Sequence, residues 1–293
     1  MNISIVIRTL NEGLYLGELL ASIEAQESEH NVEVVIIDSG STDETLSLAK
    51  QFDTRITFIK KQEFSFGRSL NMGCDFASGE VLAFVSGHCV PADTNWLSNL
   101  VAPIATGAAG YVYGRQIGRD NTKFSEHQVF EKYFPASDTH GNADYFCNNA
   151  NAVLRRDVWQ KYKFDEQITG LEDMELAQRY ISKGGKVAYV PDSIVYHMHN
   201  ENWSQTRRRY EREALALRQI EPRLRLYLTE ALRFFFVSLL HDSSKAMEQK
   251  QFLMQFISIV NFRAAQYAGS YMGSRESRVL SRKQKRSYFY PSG

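Results

Sequence analysis

Two acidic residues stand side by side, Glu172 and Asp173, where Gly170-Leu171 leads into a helical stretch. Two readings fit them. Carboxylates in a first helical turn are favoured by the helix dipole. Alternatively, one of the pair accepts a proton from an attacking hydroxyl. Three histidines follow apolar runs: His88 after residues 81–85 (VLAFV), and His197 and His199 after residues 194–196. A divalent metal neutralises a nucleotide diphosphate well, and a histidine at a strand end is a plausible ligand for it. A lone histidine is more often structural, and His199 competes with His197 as a second ligand. Asp38 follows residues 32–37 (VEVVII) and heads the turn Ser39-Gly40-Ser41-Thr42-Asp43. A carboxylate there suits hydrogen bonding to a base or ribose. Ser41 and Glu44 have the S-x-x-E spacing of a capping box and predict the start of a helix.

The elements that must position these groups alternate. Residues 3–7 (ISIVI), 32–37, 56–59 and 81–85 read as short buried strands. Leu16, Leu19, Leu20 and Ile23 between the first two recur at helical spacing, and Asp93 or Thr94 can cap a helix after the fourth. This alternation predicts an α/β domain, a largely parallel sheet with helices on both faces, whose ligands sit outside the carboxyl ends of the strands. Residues 105–150 are less regular, with strands and a mobile loop expected. A helix from Glu172 should stop at Gly184-Gly185, and residues 187–190 and 194–196 read as two further short strands.

Bulk properties bound the function. Apolar residues make up 43% and charged residues 23%, the balance of a chain that buries a core. Net charge is zero, yet residues 1–200 carry 17 basic and 26 acidic side chains, and residues 201–293 carry 17 and 8. That split predicts two regions, 1–200 and 201–293, with different partners. Cys74, Cys89 and Cys147 form no close pair, as in a reducing compartment. Arg8 ends the first apolar stretch, so no leader is expected, and the protein is expected in the cytoplasm. No G-x-G-x-x-G follows the first strand, which removes the main support for dinucleotide binding. A sugar-1-phosphate nucleotidyltransferase needs a Gly-rich phosphate loop and a Lys there; Arg8-Thr9-Leu10-Asn11-Glu12 has neither.

Taken in order, IRTLNEGLYLGELLASI, VVIIDSGSTDET, FGRSLNMGCDFASGEVLAFVSGHCVPADTNWL, CNNANAVLRRDVW and FDEQITGLEDMELAQRYISKGGKVAYVPDSIVYH resemble the family 2 glycosyltransferases over about two thirds of the chain. The resemblance implies a GT-A fold, Rossmann-like, and an inverting transfer from a nucleotide-sugar donor (UDP-, dTDP- or GDP-linked). It implies that Thr9, Glu12 and Asp38 line the nucleotide pocket, with Asn11 and Ser86 beside them and Arg68 near the base or diphosphate. Asp173 would be the general base on the acceptor hydroxyl, with Glu172 its neighbour and Asn151 facing the acceptor. His197 matches the family's late metal-binding histidine. The chain departs from the family at Ser86-Gly87-His88, where an Asp-x-Asp is usual. With His88 and His197 as metal ligands, Mn²⁺ is favoured over Mg²⁺, because imidazole suits borderline transition metals. The missing Asp also motivates a rival reading, a degenerate protein that binds nucleotide sugar or glycan without turnover. EFSFGRSLNMG with the displaced motif resembles the rhamnosyltransferase-type branch, which implies bacterial surface polysaccharide synthesis, capsule or O-antigen, on a glycan or lipid-linked oligosaccharide acceptor.

Beyond residue 200 the pattern is helical and basic. Arg207, Arg208, Arg209 and Arg212 crowd one stretch, and residues 275–286 carry six basic side chains and one acidic. Such segments suit peripheral contact with the inner face of an anionic membrane. The competing reading packs these helices on the catalytic domain or on a second subunit. No nucleic-acid module surrounds the arginines, so no nucleic acid is expected as a partner.

Overall fold

The computed structural model describes residues 1–137, 145–276 and 288. Its strands are β1 (Asn2–Thr9), β2 (Asn31–Asp38), β3 (Thr54–Phe58), β4 (Val81–Ser86), β5 (Cys89–Pro91), β6 (Tyr111–Ile117), β7 (Asn151–Arg155) and β8 (Val187–His197). They form one sheet in the order β3-β2-β1-β4-β7-β6-β8-β5. β3, β2, β1 and β4 are parallel; β7 runs against β4 and β6, and β8 runs parallel to β6 and against β5. The sheet is therefore mixed: four parallel strands, as the alternation predicts, are extended by antiparallel pairings at β7 and β5.

Alternation along β1 builds both faces. Ile3, Ile5 and Ile7 join one core with Leu16 and Leu20 of α1 (Leu16–Glu24) and Leu97 and Leu100 of α4 (Trp96–Ala105). Val6 points the other way. It joins a second core with Leu70 of α3 (Phe66–Phe76), Trp159 of α6 (Arg156–Tyr162) and Leu176 of α7 (Glu172–Ile181). Each such aliphatic side chain taken from water contributes roughly 1.5–3 kcal/mol, so a strand with an apolar set on both faces can only be central.

Three local expectations are corrected. Ser41 and Glu44 form no capping box: α2 spans Thr45–Ala49, and Glu44 makes no side-chain cap bond. Asp43 takes that work, its Oδ1 accepting from Thr45 N at 3.0 Å. Residues 187–196 lie in one strand, not two; three residues around Pro191, which has no N–H to give, bulge where β6 passes from Gly114 to Arg115. Within residues 105–150 lie β6 and a helix, α5 (Phe124–Tyr133), and residues 138–144 of the expected loop lie outside the described residues.

Two compact units emerge. The first holds residues 1–119, 130–167 and 172–198; the second holds 120–129, 168–171 and 199–293. The second is built on α8 (Trp203–Ile220), α9 (Leu228–Glu248) and α10 (Phe252–Arg275). Asn202 and Gln205 cap α8 reciprocally. α8 and α10 pack backbone to backbone: a Cβ on Gly273 would lie inside contact distance of the Glu211 carbonyl oxygen, and one on Gly269 inside that of Arg207. Arg263 of α10 grips Asp242 of α9 with two buried bonds of 2.7 and 2.8 Å.

The α8 arginines are not an open cationic face. Arg209 donates to Glu126 at 2.6 Å and Glu201 at 2.9 Å, and Arg207 pairs with Glu211 at 3.1 Å. Most α8 residues are covered. Those pairings commit Arg207 and Arg209 within the helical unit and favour the packed reading of this helix. Most of the basic tail, residues 277–287, lies outside the described residues. Among the described residues no helix is long and apolar enough to cross a membrane.

Candidate active site

The strand directions bring the sequence-predicted groups to one edge of the sheet. β1, β2 and β4 are parallel and end there at Thr9, Asp38 and Ser86. β8 shares their direction through β7 and β6 and ends at His197; β7 runs backwards and starts there, Asn151 standing opposite Val85.

At the β1 and β2 ends a polar web closes. Asp38 is fully buried and accepts four hydrogen bonds: from the amides of Gly40 and Ser41 at 2.9 Å each, from Thr9 Oγ1 at 3.0 Å and from Ser41 Oγ at 2.5 Å. Asn11, in left-handed backbone at φ 57°, donates its amide to Ser41 Oγ and accepts from Thr42 N. Asp38 thus clamps the turn, and a contact from it to a nucleotide requires Ser41 to release its bond. Thr9 is buried behind Asp38 and serves the same clamp.

At the β4 and β8 ends stand two imidazoles. The rings of His88 and His197 stack with centroids 5.1 Å apart, and their ligand nitrogens approach within 4.8 Å. The antiparallel register of β5 on β8, Cys89 opposite His197, sets them side by side. Each is oriented from behind. His88 Nδ1 lies 2.9 Å from Glu12 Oε1, and His197 Nδ1 lies 2.6 Å from Gln116 Oε1. An oxygen acceptor keeps the proton on Nδ1 and presents the Nε2 lone pair, the arrangement of metal-bound histidine. The donor set therefore fits a divalent metal. Glu12 belongs to this histidine pair rather than to the Asp38 web. Gly87 allows it, because a Cβ there would lie 2.7 Å from Glu12 Cγ. His199 Nδ1 is held the same way, by Glu126 Oε1 at 2.8 Å in the second unit.

The acidic pair opens α7, and both carboxylates are buried. Glu172 Oε1 meets Arg8 Nη1 at 3.2 Å, and that guanidinium also lies over the Phe66 ring at 5.0 Å. Asp173 Oδ2 accepts from Asn149 N at 2.9 Å and Oδ1 from Met174 N at 2.8 Å. Burial first, and the Glu172 charge second, push Asp173 up to about 7. A carboxylate of that affinity takes a proton near neutrality, as a general base must.

Three expected residues fall differently. Asn151 is fully buried; it accepts from Trp96 Nε1 at 2.8 Å and donates to the carbonyls of Ser193 and Arg115 at 2.8 and 3.0 Å. Its carboxamide is spent on sheet neighbours, which corrects the expectation that it faces an acceptor. Arg68, in the first turn of α3, is half-exposed and, among the described residues, reaches Glu63 at 3.9 Å. Ser86 is half-buried, its amide directed at Ala150 O at 3.4 Å. Sequence reading missed Asn149, Gln116 and the bridging role of Arg8. The neutral amides carry no pattern by which to find them.

Comparison with known proteins agrees with this geometry. Residues 4–163 match the family model described as "Glycosyl transferase family 2", and residues 145–273 match "Glycosyl transferase family group 2". The chain is 29% identical over 222 residues to the O-antigen chain rhamnosyltransferase RfbN of Salmonella typhimurium, covering 72% of this chain and 70% of that one. It is 26% identical over 219 residues to the O-antigen chain rhamnosyltransferase WbaN of Salmonella anatum, covering 71% and 69%. Among solved structures it superposes on the mannosyltransferase PcManGT from Pyrobaculum calidifontis, crystallised with GDP-Man and Mn²⁺. The TM-score is 0.63 at 17% identity, over 94% of this chain and 88% of that one. The shared architecture is the expected GT-A fold with a helical C-terminal region.

Proposed function

This chain belongs to glycosyl transferase family 2, a nucleotide-sugar-dependent glycosyltransferase, and from that premise we propose an inverting transfer to a glycan hydroxyl in O-antigen-type polysaccharide synthesis. By likeness to the two rhamnosyltransferases, the donor is read as a nucleotide-linked rhamnose and the acceptor as a glycan or lipid-linked oligosaccharide. We assign catalysis to residues 1–200 and an accessory role to the basic residues 201–293.

One observation carries the mechanism: Asp173 is buried, proton-avid and fixed by the Asn149 amide at the sheet edge that also carries His88 and His197. An acceptor hydroxyl is a poor nucleophile near neutral pH. Asp173 takes its proton as the oxygen attacks the anomeric carbon from the face opposite the leaving nucleotide. The Asn149 and Met174 amides keep the carboxylate aimed, and Arg8 pairs with Glu172 beside it. His88 and His197 would hold a divalent metal, read as Mn²⁺ in preference to Mg²⁺, which when bound would offset the charge growing on the leaving diphosphate. The Asp38 turn and Arg68 lie toward the nucleotide.

The test pairs donor binding with transfer. Nucleotide sugars are screened by thermal shift in Mn²⁺ and in chelator, and the binding donor is used for turnover. Asp173→Asn should keep the donor shift and lose transfer by roughly 10²–10⁴-fold. His88→Ala should lose the Mn²⁺-dependent part of the shift. Transfer at the parental rate by Asp173→Asn would remove it as the base.

A further inference from the structure

α9 carries an apolar row that is left exposed among the described residues. Leu228, Leu232, Phe236 and Leu240 recur every fourth residue and stand one above the other on one face of the helix. Their exposures are 54%, 49%, 56% and 69%. At 1.5 Å per residue the row is about 18 Å long. α9 is anchored inward through Ala231 near its start and Asp242, Ser243 and Ala246 in its last turns. Beyond the turn, α10 opens on Leu253 and Ile257, exposed to 94% and 73%. Scattered exposed leucines need no explanation, but a continuous row of this length marks a surface with a partner.

Charge decides between partners. Arg223 and Arg225 precede α9, Arg233 lies within the row and Lys250 follows it; all four are exposed, and none makes an ion pair with a described residue. They belong to the region with 17 basic and 8 acidic residues. A second copy would set that excess against itself. An anionic lipid surface complements it and takes up the apolar row. A helix with aliphatic and aromatic side chains on one face and cations beside them lies in the plane of a bilayer. α9 is too polar to span one.

We propose that the α9 row and its flanking arginines are a docking surface for an anionic lipid bilayer. It is distinct from Arg207 and Arg209 of α8, which are paired inside the helical unit, and it stands independently of the transfer reaction.

The test is flotation of the full chain with vesicles, which needs no turnover. The protein should float with phosphatidylglycerol-containing vesicles and roughly tenfold less with phosphatidylcholine alone or in high salt. The triple variant Leu232→Ser, Phe236→Ser, Leu240→Ser should lose flotation roughly tenfold, with its melting temperature and far-ultraviolet spectrum unchanged. If that variant misfolds, Arg223→Glu, Arg225→Glu, Arg233→Glu leaves the row intact and should abolish the preference for anionic vesicles. Absence of flotation by the parent, or undiminished flotation of both variants, overturns the proposal. So does a parental dimer that the triple variant converts to monomer by light scattering, because the row would then join two copies.

Discussion

Asp173 and Glu172 are neighbours in a dry first turn, and the Glu172 charge makes a charge on Asp173 harder to hold. Burial first, and that neighbouring charge second, push Asp173 up to about 7, while Arg8 pairs with Glu172 at 3.2 Å. Removing the neighbour's charge by Glu172→Gln should move the acid limb of kcat/KM from near pH 7 to lower pH. A pH–rate profile that keeps its limb in place would assign the limb to another group. The same shift acts on stability with the opposite sign. Asp173's folded value lies above its ordinary 3.8, so its contribution is full below about pH 4 and is lost as pH rises through 7. Much of this was legible in the sequence, because acids at a helix start and histidines after apolar runs advertise themselves by type and place. Asp38 was legible as a strand-end carboxylate but not as a clamp, since its own turn competes for it. Asn149 and Gln116 were not legible: each works through a partner 24 or 81 positions away.

Between elements, the closest approach in the helical unit depends on two glycines. Gly269 and Gly273 lie one turn apart on α10, and the α8 backbone fills the space their missing side chains leave. Gly273→Val should drive the helices apart and lower stability by about 3 kcal/mol or more, read as a shift in the urea midpoint. An unchanged midpoint would mean that the contact is not tight in solution. The first four strands were readable because buried strands leave continuous apolar runs. α5 was not, because its sequence FSEHQVFEKY has weak helical periodicity. α8 was readable as a helix, but the sequence left open whether its arginines face outward or pack inward. Arg209 looks solvated until Glu126, some eighty residues earlier, supplies its counter-charge.

At the scale of the molecule, the helical unit is not a tail added to a finished domain, since residues 120–129 and 168–171 belong to it. A chain ended after Met198 leaves Glu126 buried without Arg209 and His199, and Phe124 without Ala246 and Ile259. An unpaired buried carboxylate and an uncovered aromatic each cost on the order of 1–3 kcal/mol, out of about 5–15 in all. Such a truncation should give little soluble protein, measured as yield and melting temperature beside the full chain. A truncation that melts like the parent would show that residues 1–198 fold alone. The sequence showed the charge division but not the return of the chain, because contact between distant segments leaves no local mark. The uncovered row on α9 then bears on how the enzyme is to be assayed. For an acceptor carried on lipid, encounters on a bilayer are counted per unit area, so the apparent KM should follow the acceptor's mole fraction in the surface rather than its concentration in the tube. Adding inert lipid would dilute the substrate without changing the volume.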